Sequence, residues 1–504
     1  MKLRTTLKIA TATSVILFCL GFAIALYFRM SAIERAEDFD LYTLVPAQTS
    51  MVLDTDNMTD LMQRFDELDC SKDGQSLYFS RFFVYLKDHI NVLLEDTPHG
   101  LSKQMNKMLI SFHEPNNDRD QVFYCRLGAG DYEFVEKFIG ENLSASFPSR
   151  LFEYKGEKIR IYPMPDDTFL ACYMTNEFLA VSYQKKLIEQ VIDSRLDKQS
   201  ILANEHFAKI REAHRMVAPA TIYAHMREVD MGRDSDTLRH RMHIGGWTEF
   251  NLTLSGNDIY LSGINFDTDS CPTFINTLRA MEPIEEFPGD RLPATTFFFT
   301  QTSISAYSDT VAANGGVVDE FLEAYAGGVV TTCMFLTEDT LTRLPHVVWS
   351  IPLSRPSNAE QALAGLCCSV PQSEKSISIY ALPHSSLFAP LPAYACVYKS
   401  QLVVSPYPVD LQAYISVLES GEGAVLEGTP GYDDKMASLS QSYNFMMMAD
   451  LDVLSDQPDS YVRSIPALFF RYDTFFRHFT LTAQFTCIDH VMYPNLVLTY
   501  KGGE

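Results

Sequence analysis

An internal repetition constrains the fold of this chain more than any other feature, because its two halves carry similar patterns in the same order. Residues 46–49 (Pro-Ala-Gln-Thr) lead into an apolar run at 51–53, which a helical pattern at 57–68 follows. Residues 293–296 (Pro-Ala-Thr-Thr) lead into an apolar run at 297–299, and another helical pattern comes next. The repetition predicts a duplicated domain.

The repetition continues as two strand pairs, each with an Ala-Cys dipeptide in its first strand and a helical pattern after its second. The first pair spans 169–182 with a turn at Thr175-Asn176, and the second spans 393–405 with a turn near Lys399-Ser400. In the first half, a strand pattern at 221–224 and an alternating segment at 249–266 complete the series. In the second half, the corresponding segments are 444–447 and 479–500.

Each copy is predicted to combine antiparallel strand pairs with packed amphipathic helices, which is an α+β fold rather than an alternating βαβ fold. The stretch 132–141 shows helical spacing of its apolar residues. The clearest hairpin joins apolar strands at 251–254 and 259–262 through a Ser-Gly-Asn-Asp turn. We assign the first repeat to 42–270, a connector to 271–286 and the second repeat to 287–504.

The amino terminus predicts a transmembrane helix. Three basic residues (Lys2, Arg4 and Lys8) precede the uncharged run 9–28, and Arg29 follows it. A helix of that length is roughly 30 Å long, which matches the hydrocarbon core of a bilayer. The basic residues favour a cytoplasmic tail at 1–8, and the linker 29–41 then joins the anchor to an extracytoplasmic body.

A cleaved secretory signal is the alternative to an anchor, because residues 23–25 (Ala-Ile-Ala) have the small-x-small form of a cleavage site. The apolar run continues through 26–28, where a polar region would be expected, and this favours an uncleaved anchor. Cys19 invites a lipoprotein interpretation, but Phe18 is too large for the residue before such a site. Either interpretation places the bulk outside the cytoplasm.

Charge and cysteine content limit the classes of partner and site. Beyond residue 29 the chain carries 36 Lys and Arg against 64 Asp and Glu, a net charge of −28, so no nucleic-acid partner is expected. The chain has no Cys-x-x-Cys pair, which leaves a zinc ribbon or a thioredoxin-type motif without support. Cys172 and Cys396 lie in apolar strand patterns that favour small buried side chains, and a disulfide or two stays open.

The sharpest enzymatic pattern is that of penicillin-binding enzymes. A Lys one helical turn after a Ser can act as its base, which is why this spacing carries chemistry. The three short patterns occur in the expected chain order, as Ser182-Tyr-Gln-Lys185, Ser442-Tyr-Asn444 and Lys501-Gly-Gly503.

The position of Ser182 argues against catalysis. It lies between a strand and a helix, where a helix-capping serine is expected. Ser405 occupies the matching point of the second half, and no lysine follows it. A serine that both halves keep while only one keeps the base indicates a structural role.

Two stretches have spacings reminiscent of metal ligands. His240-Arg-Met-His243, with His225 and Glu249 nearby in sequence, would put two imidazoles on one helical face. However, the stretch lacks the His-Glu-x-x-His pattern, and its arginines disfavour a cation. A basic, solvated loop or helix end is the simpler interpretation.

Residues 265–269 alternate oxygen ligands as a calcium loop does. Ser270 replaces the loop glycine and Asn276 replaces the bidentate glutamate, so a turn with Asp269 or Ser270 capping a helix is expected instead. The stretch 54–57 (Asp-Thr-Asp-Asn) is expected to cap the helix at 57–68, and the pairs 166–167 and 433–434 are expected to form exposed turns. We therefore assign no catalytic, cofactor-binding or metal-binding residues.

Beside the basic terminus and the anchor, three motifs stand out, at 44–47 (Leu-Val-Pro-Ala), 246–252 (Gly-Trp-Thr-Glu-Phe-Asn-Leu) and 292–299 (Leu-Pro-Ala-Thr-Thr-Phe-Phe-Phe). This layout resembles an uncharacterised family of envelope-anchored proteins of Bacteroidota, a domain of unknown function. The resemblance implies an extracytoplasmic location in a Gram-negative envelope and brings no known activity.

Together these observations predict a single-pass inner-membrane protein with a duplicated α+β body in the periplasm. We expect it to act without catalysis, by binding or scaffolding an envelope protein. The alternatives are an envelope serine hydrolase or acyl-transferase that uses Ser182 and Lys185, and a carrier of lipid or peptide.

Overall fold

The computed structural model describes most of the chain from residue 39 onward. The described ranges are 39–75, 106–113, 119–128, 131–140, 148–164, 168–213, 218–233, 240–266, 273–303, 317–337, 344–369, 377–383, 393–421 and 423–502. These residues fall into two compact units, one up to Ala224 and one from His225 onward, and residues 65–75 belong to the second unit. The connector and repeat boundaries that we assigned do not coincide with this division.

The first unit contains one antiparallel sheet. Its strands are β1 (Met51–Thr55), β2 (Met108–Phe112), β3 (Gln121–Arg126), β4 (Arg150–Tyr154), β5 (Glu157–Pro163), β6 (Phe169–Met174), β7 (Phe178–Ser182) and β8 (Ala220–His225). The helices of this unit are α1 (Met58–Glu67), which extends into the second unit at its last three residues, α3 (Asp131–Phe138), α4 (Lys185–Asp197) and α5 (Glu205–Ala213). The short helix α2 (Asp69–Lys72) follows α1 in the chain and belongs to the second unit. The strands lie in the order β4-β5-β6-β7-β3-β2-β1-β8.

The second unit contains a longer antiparallel sheet and a separate pair, β9 (Val229–Met231) with β10 (His240–Met242). The strands of the sheet are β11 (Trp247–Ser255), β12 (Asp258–Ile264), β13 (Thr296–Ser303), β14 (Val329–Phe335), β15 (His346–Pro352), β16 (Cys368–Ser369), β17 (Tyr380–Leu382), β18 (Ala393–Tyr398), β19 (Gln401–Ser405), β20 (Phe445–Asp450), β21 (Phe479–Ile488) and β22 (Val491–Tyr500). Its helices are α6 (Phe274–Arg279), α7 (Val317–Tyr325), α8 (Pro356–Leu366), α9 (Pro408–Leu418), α10 (Tyr432–Ala437), α11 (Leu451–Ser455), α12 (Ala467–Arg471) and α13 (Asp473–Phe476).

The strand order of this sheet repeats that of the first unit. It begins β16-β17-β18-β19-β15-β14-β13-β20, which has the same crossovers as β4-β5-β6-β7-β3-β2-β1-β8. The positions of the helices agree as well, because α4 follows β7 and α9 follows β19, while α3 and α8 follow β3 and β15. The two series of eight strands therefore share one order and the same placement of these helices.

The second sheet continues beyond β20 as β21-β22-β12-β11. These strands form two hairpins, β11–β12 and β21–β22. Strand β12 pairs with β22, from Asp258 opposite Thr499 to Ser262 opposite Asn495. The closing segment 249–266, which we assigned to the first repeat, therefore pairs with the closing segment of the second repeat. This pairing explains why the compact units divide near residue 225 and not near residue 270.

Helices cover both faces of the second sheet around β19, which explains its uninterrupted apolar sequence. Val403 packs in a cluster with Leu411 of α9, whereas Leu402 and Val404 pack with Phe321 of α7 on the other face. Successive side chains of a strand point to opposite faces, so a strand buried on both faces must be apolar throughout. Burial of one such side chain contributes about 1.5–3 kcal/mol.

The sequence predictions of α+β class, strand pairs and following helices agree with these elements. No helix among the described residues is long and apolar enough to cross a membrane, and the predicted transmembrane segment 9–28 lies outside those residues. Within the described chain, seven cysteines carry free thiols, and five of them are buried, namely Cys70, Cys125, Cys172, Cys333 and Cys396.

Candidate functional site

The outer strand of the first sheet, β4, is the most exposed strand of that sheet. Among the described residues, β4 pairs only with β5, and no described strand pairs with its other side. Its first four residues are exposed, and the exposed fractions of Leu151 and Phe152 are 56% and 42%. Phe169, at the start of β6, is 59% exposed. Large apolar side chains on an open edge strand are typical of a surface that receives another chain.

The turn between β4 and β5 determines which backbone groups face outward. Lys155 and Gly156 form a two-residue turn with φ angles of 50° and 83°, so Tyr154 and Glu157 form the first hydrogen-bonded pair. Hydrogen-bonded and non-hydrogen-bonded pairs alternate along an antiparallel ladder. The N–H and C=O groups of Leu151 and Glu153 therefore point away from β5, toward the open side.

Contacts with α4 hold this hairpin in place without covering its edge. The ammonium group of Lys155 lies 2.7 Å from a carboxylate oxygen of Asp193 and donates to Asp197 at 3.0 Å. The hydroxyl of Tyr154 donates to the other oxygen of Asp193 at 3.2 Å. Hydrogen bonds to Asp193 and Asp197 raise the pKa of Lys155 above its ordinary value. The ammonium group of Lys185 lies 5.6 Å from the centre of the Phe152 ring.

Among the described residues, the matching edge in the second half of the chain is shorter. By strand order β16 corresponds to β4, and β16 has two described residues where β4 has five. Short edge strands are one of the ways in which proteins protect open sheet edges. Within the part of the chain that the structure describes, the first half therefore has the longer outer strand.

A polar cluster in the second unit joins the start of β15 to the first turn of α9. Nδ1 of His346 donates to Oδ1 of Asp410 at 2.8 Å, and the hydroxyl of Ser405 and the N–H of Val347 donate to Oδ2 at 2.9 and 3.3 Å. Nε2 of His346 lies within hydrogen-bond distance, 3.2 Å, of the hydroxyl of Thr337. The side chains of Asp410 and His346 are only 8% and 18% exposed.

This hydroxyl–imidazole–carboxylate order is the connectivity of a nucleophile with its base. The same bonds also satisfy a buried carboxylate and place it in the first turn of α9, where the helix dipole favours negative charge. The cluster thus has a complete structural explanation. The sequence contains no signal for it, because His346 and Asp410 are 64 positions apart.

The serine of the predicted Ser-x-x-Lys pattern is buried and engaged. The Ser182 hydroxyl donates to the carbonyl of Gln121 at 2.7 Å and accepts from the N–H of Gln184 at 3.0 Å. The ammonium group of Lys185 pairs with Glu189 one turn along α4. The N-cap of α4 is Gln184, so Ser182 forms a turn before the helix and is not the cap that we expected. Ser405 accepts in the same way from the N–H of Tyr407 at 3.2 Å.

The other two parts of that pattern lie in the second unit and are also engaged. The side chain of Asn444 is buried, donates to the carbonyl of Met281 and accepts from the N–H of Cys487. Lys501 pairs with Asp450 at 2.7 Å. Ser442 is half-buried, and its carbonyl accepts from the hydroxyl of Thr486 at 3.1 Å.

The histidine pattern lies on a strand and not on the helical face that we considered, since β10 contains His240. Nδ1 of His243 contacts the carbonyl of Arg227, and the His225 ring lies 5.0 Å from the Trp247 ring. Glu249 is buried, and Asn251 donates to its carboxylate at 3.3 Å. Within the described part of the chain, no three His, Cys, Asp or Glu side chains converge to hold a metal ion.

The loop that resembled a calcium site begins with a buried asparagine. Asn265 donates to the carbonyl of Trp247 at 3.1 Å, and its side-chain oxygen accepts from Arg279 at 2.9 Å. Asp267, Asp269 and Ser270 lie outside the described residues. The N-cap of α6 is Thr273, so the expected cap at Asp269 or Ser270 is wrong.

The remaining acidic candidates have ordinary surroundings. The side-chain oxygen of Asn57 accepts from the N–H of Asp60 at 3.0 Å, which confirms the predicted cap of α1. Asp433 and Asp434 are exposed, but they lie in the first turn of α10 and not in a turn between elements. The pair 166–167 lies outside the described residues.

Comparison with known proteins adds little to this geometry. No family profile and no curated protein matches the sequence. Crystal forms I and III of TP0453 align with 47% and 48% of this chain, and with 82% and 85% of that protein, at 11% identity in both cases. The TM-scores of these alignments are 0.25 and 0.27.

Proposed function

We propose that this chain is a membrane-anchored protein of the cell envelope whose body binds or scaffolds another polypeptide at the open edge of β4. The observation that supports this function best is the exposed five-residue strand with outward backbone groups at Leu151 and Glu153. An extended segment that pairs with such an edge gains main-chain hydrogen bonds, while side chains on alternate positions give selectivity.

The location in this proposal comes from the sequence. The apolar run 9–28 anchors the chain in the inner membrane with its carboxyl-terminal body in the periplasm. Resemblance to envelope-anchored proteins of Bacteroidota supports the same location. The net charge of −24 disfavours nucleic acid, so an envelope protein is the partner that we propose.

The duplication is part of the proposal. The strand order shared by β1–β8 and β13–β20 supports two copies of one domain. In this interpretation the second copy keeps the fold and carries a shortened edge at β16. Binding is then a property of the first copy alone.

The contacts of Ser182 favour binding over the alternative of a serine hydrolase. A hydroxyl that is 1% exposed and already donates to Gln121 cannot reach a substrate without rearrangement. The ammonium group of Lys185, which would be its base, is paired with Glu189.

Site-specific photocrosslinking in the intact membrane tests the proposed edge. A photoreactive residue replaces Glu153 in the full-length chain, and the matched control replaces Val409, an apolar residue of α9 that is 58% exposed. We expect the probe at position 153 to crosslink to one defined segment of a polypeptide. We expect the probe at position 409 to give no such crosslinked product.

A second pair of variants separates backbone pairing from side-chain contact. Leu151→Pro removes an outward N–H, whereas Leu151→Thr keeps the N–H and the β-propensity. Crosslinking at position 153 should be lost in Leu151→Pro and kept in Leu151→Thr. Equal crosslinking in both variants, or at positions 153 and 409 alike, would contradict binding at this edge.

A further inference from the structure

The sequence of β4 is compatible with pairing to a second copy of itself. In an antiparallel pair centred on Phe152, Leu151 lies opposite Glu153 of the other copy, and Arg150 lies opposite Tyr154. Leu151 and Glu153 are the residues whose backbone groups face the open side, so each such pair exchanges both N–H···O bonds. The two Phe152 residues then face each other as a non-hydrogen-bonded pair, in which side chains approach most closely.

The charges on β4 favour the register centred on Phe152 over the register centred on Glu153. A pair centred on Glu153 would place two carboxylates directly opposite each other, which destabilises a sheet. In the pair centred on Phe152, no residue faces a like charge. Arg150 faces the ring of Tyr154, a favourable cation–aromatic pair, and the two Phe152 rings form an aromatic pair. The charge of Lys185 beside Phe152 is balanced by Glu189.

We infer that the polypeptide received at the edge of β4 is β4 of a second copy of this chain, which forms a two-fold symmetric dimer. The inference rests on the proposed function and names its partner. Such a pairing extends the sheet across the two copies without exposing a new open edge at the junction, and it buries the Phe152 side chains that each copy leaves exposed.

The size of this surface predicts a weak dimer that depends on the membrane. Pairing of one five-residue strand buries less area than the roughly 1,200–2,000 Å² of stable interfaces. Anchoring through 9–28 confines the copies to one surface and raises their effective concentration. We therefore expect dimers of the anchored chain in the membrane and monomers after dilution in detergent.

Single cysteines test both the dimer and its register in the full-length chain. Cross-strand neighbours lie within disulfide range, since their Cα atoms are about 4.5–5.5 Å apart, whereas diagonal neighbours are about 7–8 Å apart. Phe152→Cys should therefore form a disulfide-linked dimer upon mild oxidation in the membrane. Leu151→Cys and Glu153→Cys should each remain monomeric, but should crosslink to one another when both chains are present.

Two controls make the outcome decisive. The unmodified chain reports any crosslinking through native thiols, and Leu151→Pro in the Phe152→Cys background should reduce the disulfide dimer at least tenfold. Absence of the Phe152→Cys dimer, or equal dimer yields for all three cysteines, would overturn the inference. If Phe152→Cys stays monomeric while position 153 still photocrosslinks to a different polypeptide, the proposed function stands and only the identity of the partner changes.

Discussion

The two halves of this chain share a strand order but differ at the outer edge of the sheet. In the first half the edge strand β4 has five residues, most of them exposed, and in the described part of the second half β16 has two. Open edges invite pairing with other chains, and a folded domain has no need to keep one long. In the function that we propose, the shared strand order provides the scaffold and the outer strand of the first half provides the interaction.

The halves also differ at the end of a central strand pair. When the two halves are aligned on Ser182 and Ser405, the cross-strand pair His113–Asp120 matches the cross-strand pair Phe335–His346. His113 then corresponds to Phe335, and Asp120 corresponds to His346. Each half thus has one histidine here, on opposite strands. Nε2 of His113 contacts the hydroxyl of Ser111 at 2.9 Å, whereas His346 donates to Asp410. The same backbone therefore holds two different polar networks.

The largest effect is expected from removing the carboxylate of the second network. Leu187 occupies the position of Asp410 in the first half, where it packs in the core. Asp410→Ala leaves His346, Ser405 and the N–H of Val347 without their acceptor, so we expect a loss of about 3–5 kcal/mol in the free energy of unfolding.

Denaturant unfolding of the full chain measures this loss, and Asp433→Ala, which removes an exposed carboxylate, is the matched control. Asp433→Ala should shift the unfolding midpoint little. A midpoint for Asp410→Ala close to that of the control would show that the network does not stabilise the second half.

The next effect is a pH dependence that belongs to the first half. Burial lowers the pKa of His113 to about 4, from an ordinary value near 6.5. The unfolded chain binds the proton more readily than the folded chain between these values. The stability contributed by neutral His113 is therefore complete above pH 6.5 and is lost as the pH falls toward 4, by roughly 3 kcal/mol at most.

His113→Phe, which introduces the residue found at the corresponding position of the second half, isolates this contribution. The unfolding midpoints of the unmodified chain and of His113→Phe, measured from pH 7.5 down to about 4.5, should diverge. Only the unmodified chain loses the stability that neutral His113 contributes. Parallel pH profiles would mean that His113 is not held neutral by the fold.

Much of the local structure followed from the sequence, because alternation, turns and helical spacing act over short distances. The strand pairs at β6–β7 and β18–β19 and the hairpin β11–β12 have such signals. The adjacency of β3 and β7, and of β12 and β22, has none, since pairing between distant strands depends on the whole sheet.

The candidate site was beyond sequence reasoning for the same reason. The stretch Leu151-Phe152 has the composition of an ordinary strand, and only the strand order shows that it lies at an open edge. Similarly, nothing near His346 in sequence indicates Asp410. The motif that the sequence did offer does not form a Ser–Lys pair, because Ser182 bonds to the carbonyl of Gln121 and Lys185 pairs with Glu189.

Residue-resolved hydrogen exchange of β4 tests the central claim most directly, with the full chain in its membrane compared with the chain diluted in detergent. The amides of Leu151 and Glu153 face the open side, whereas the amide of Phe152 bonds within the hairpin and serves as an internal control. If β4 pairs between copies, the amides of Leu151 and Glu153 exchange slowly in the membrane and rapidly after dilution, while the amide of Phe152 is protected in both. Rapid exchange of Leu151 and Glu153 in both states would contradict this pairing.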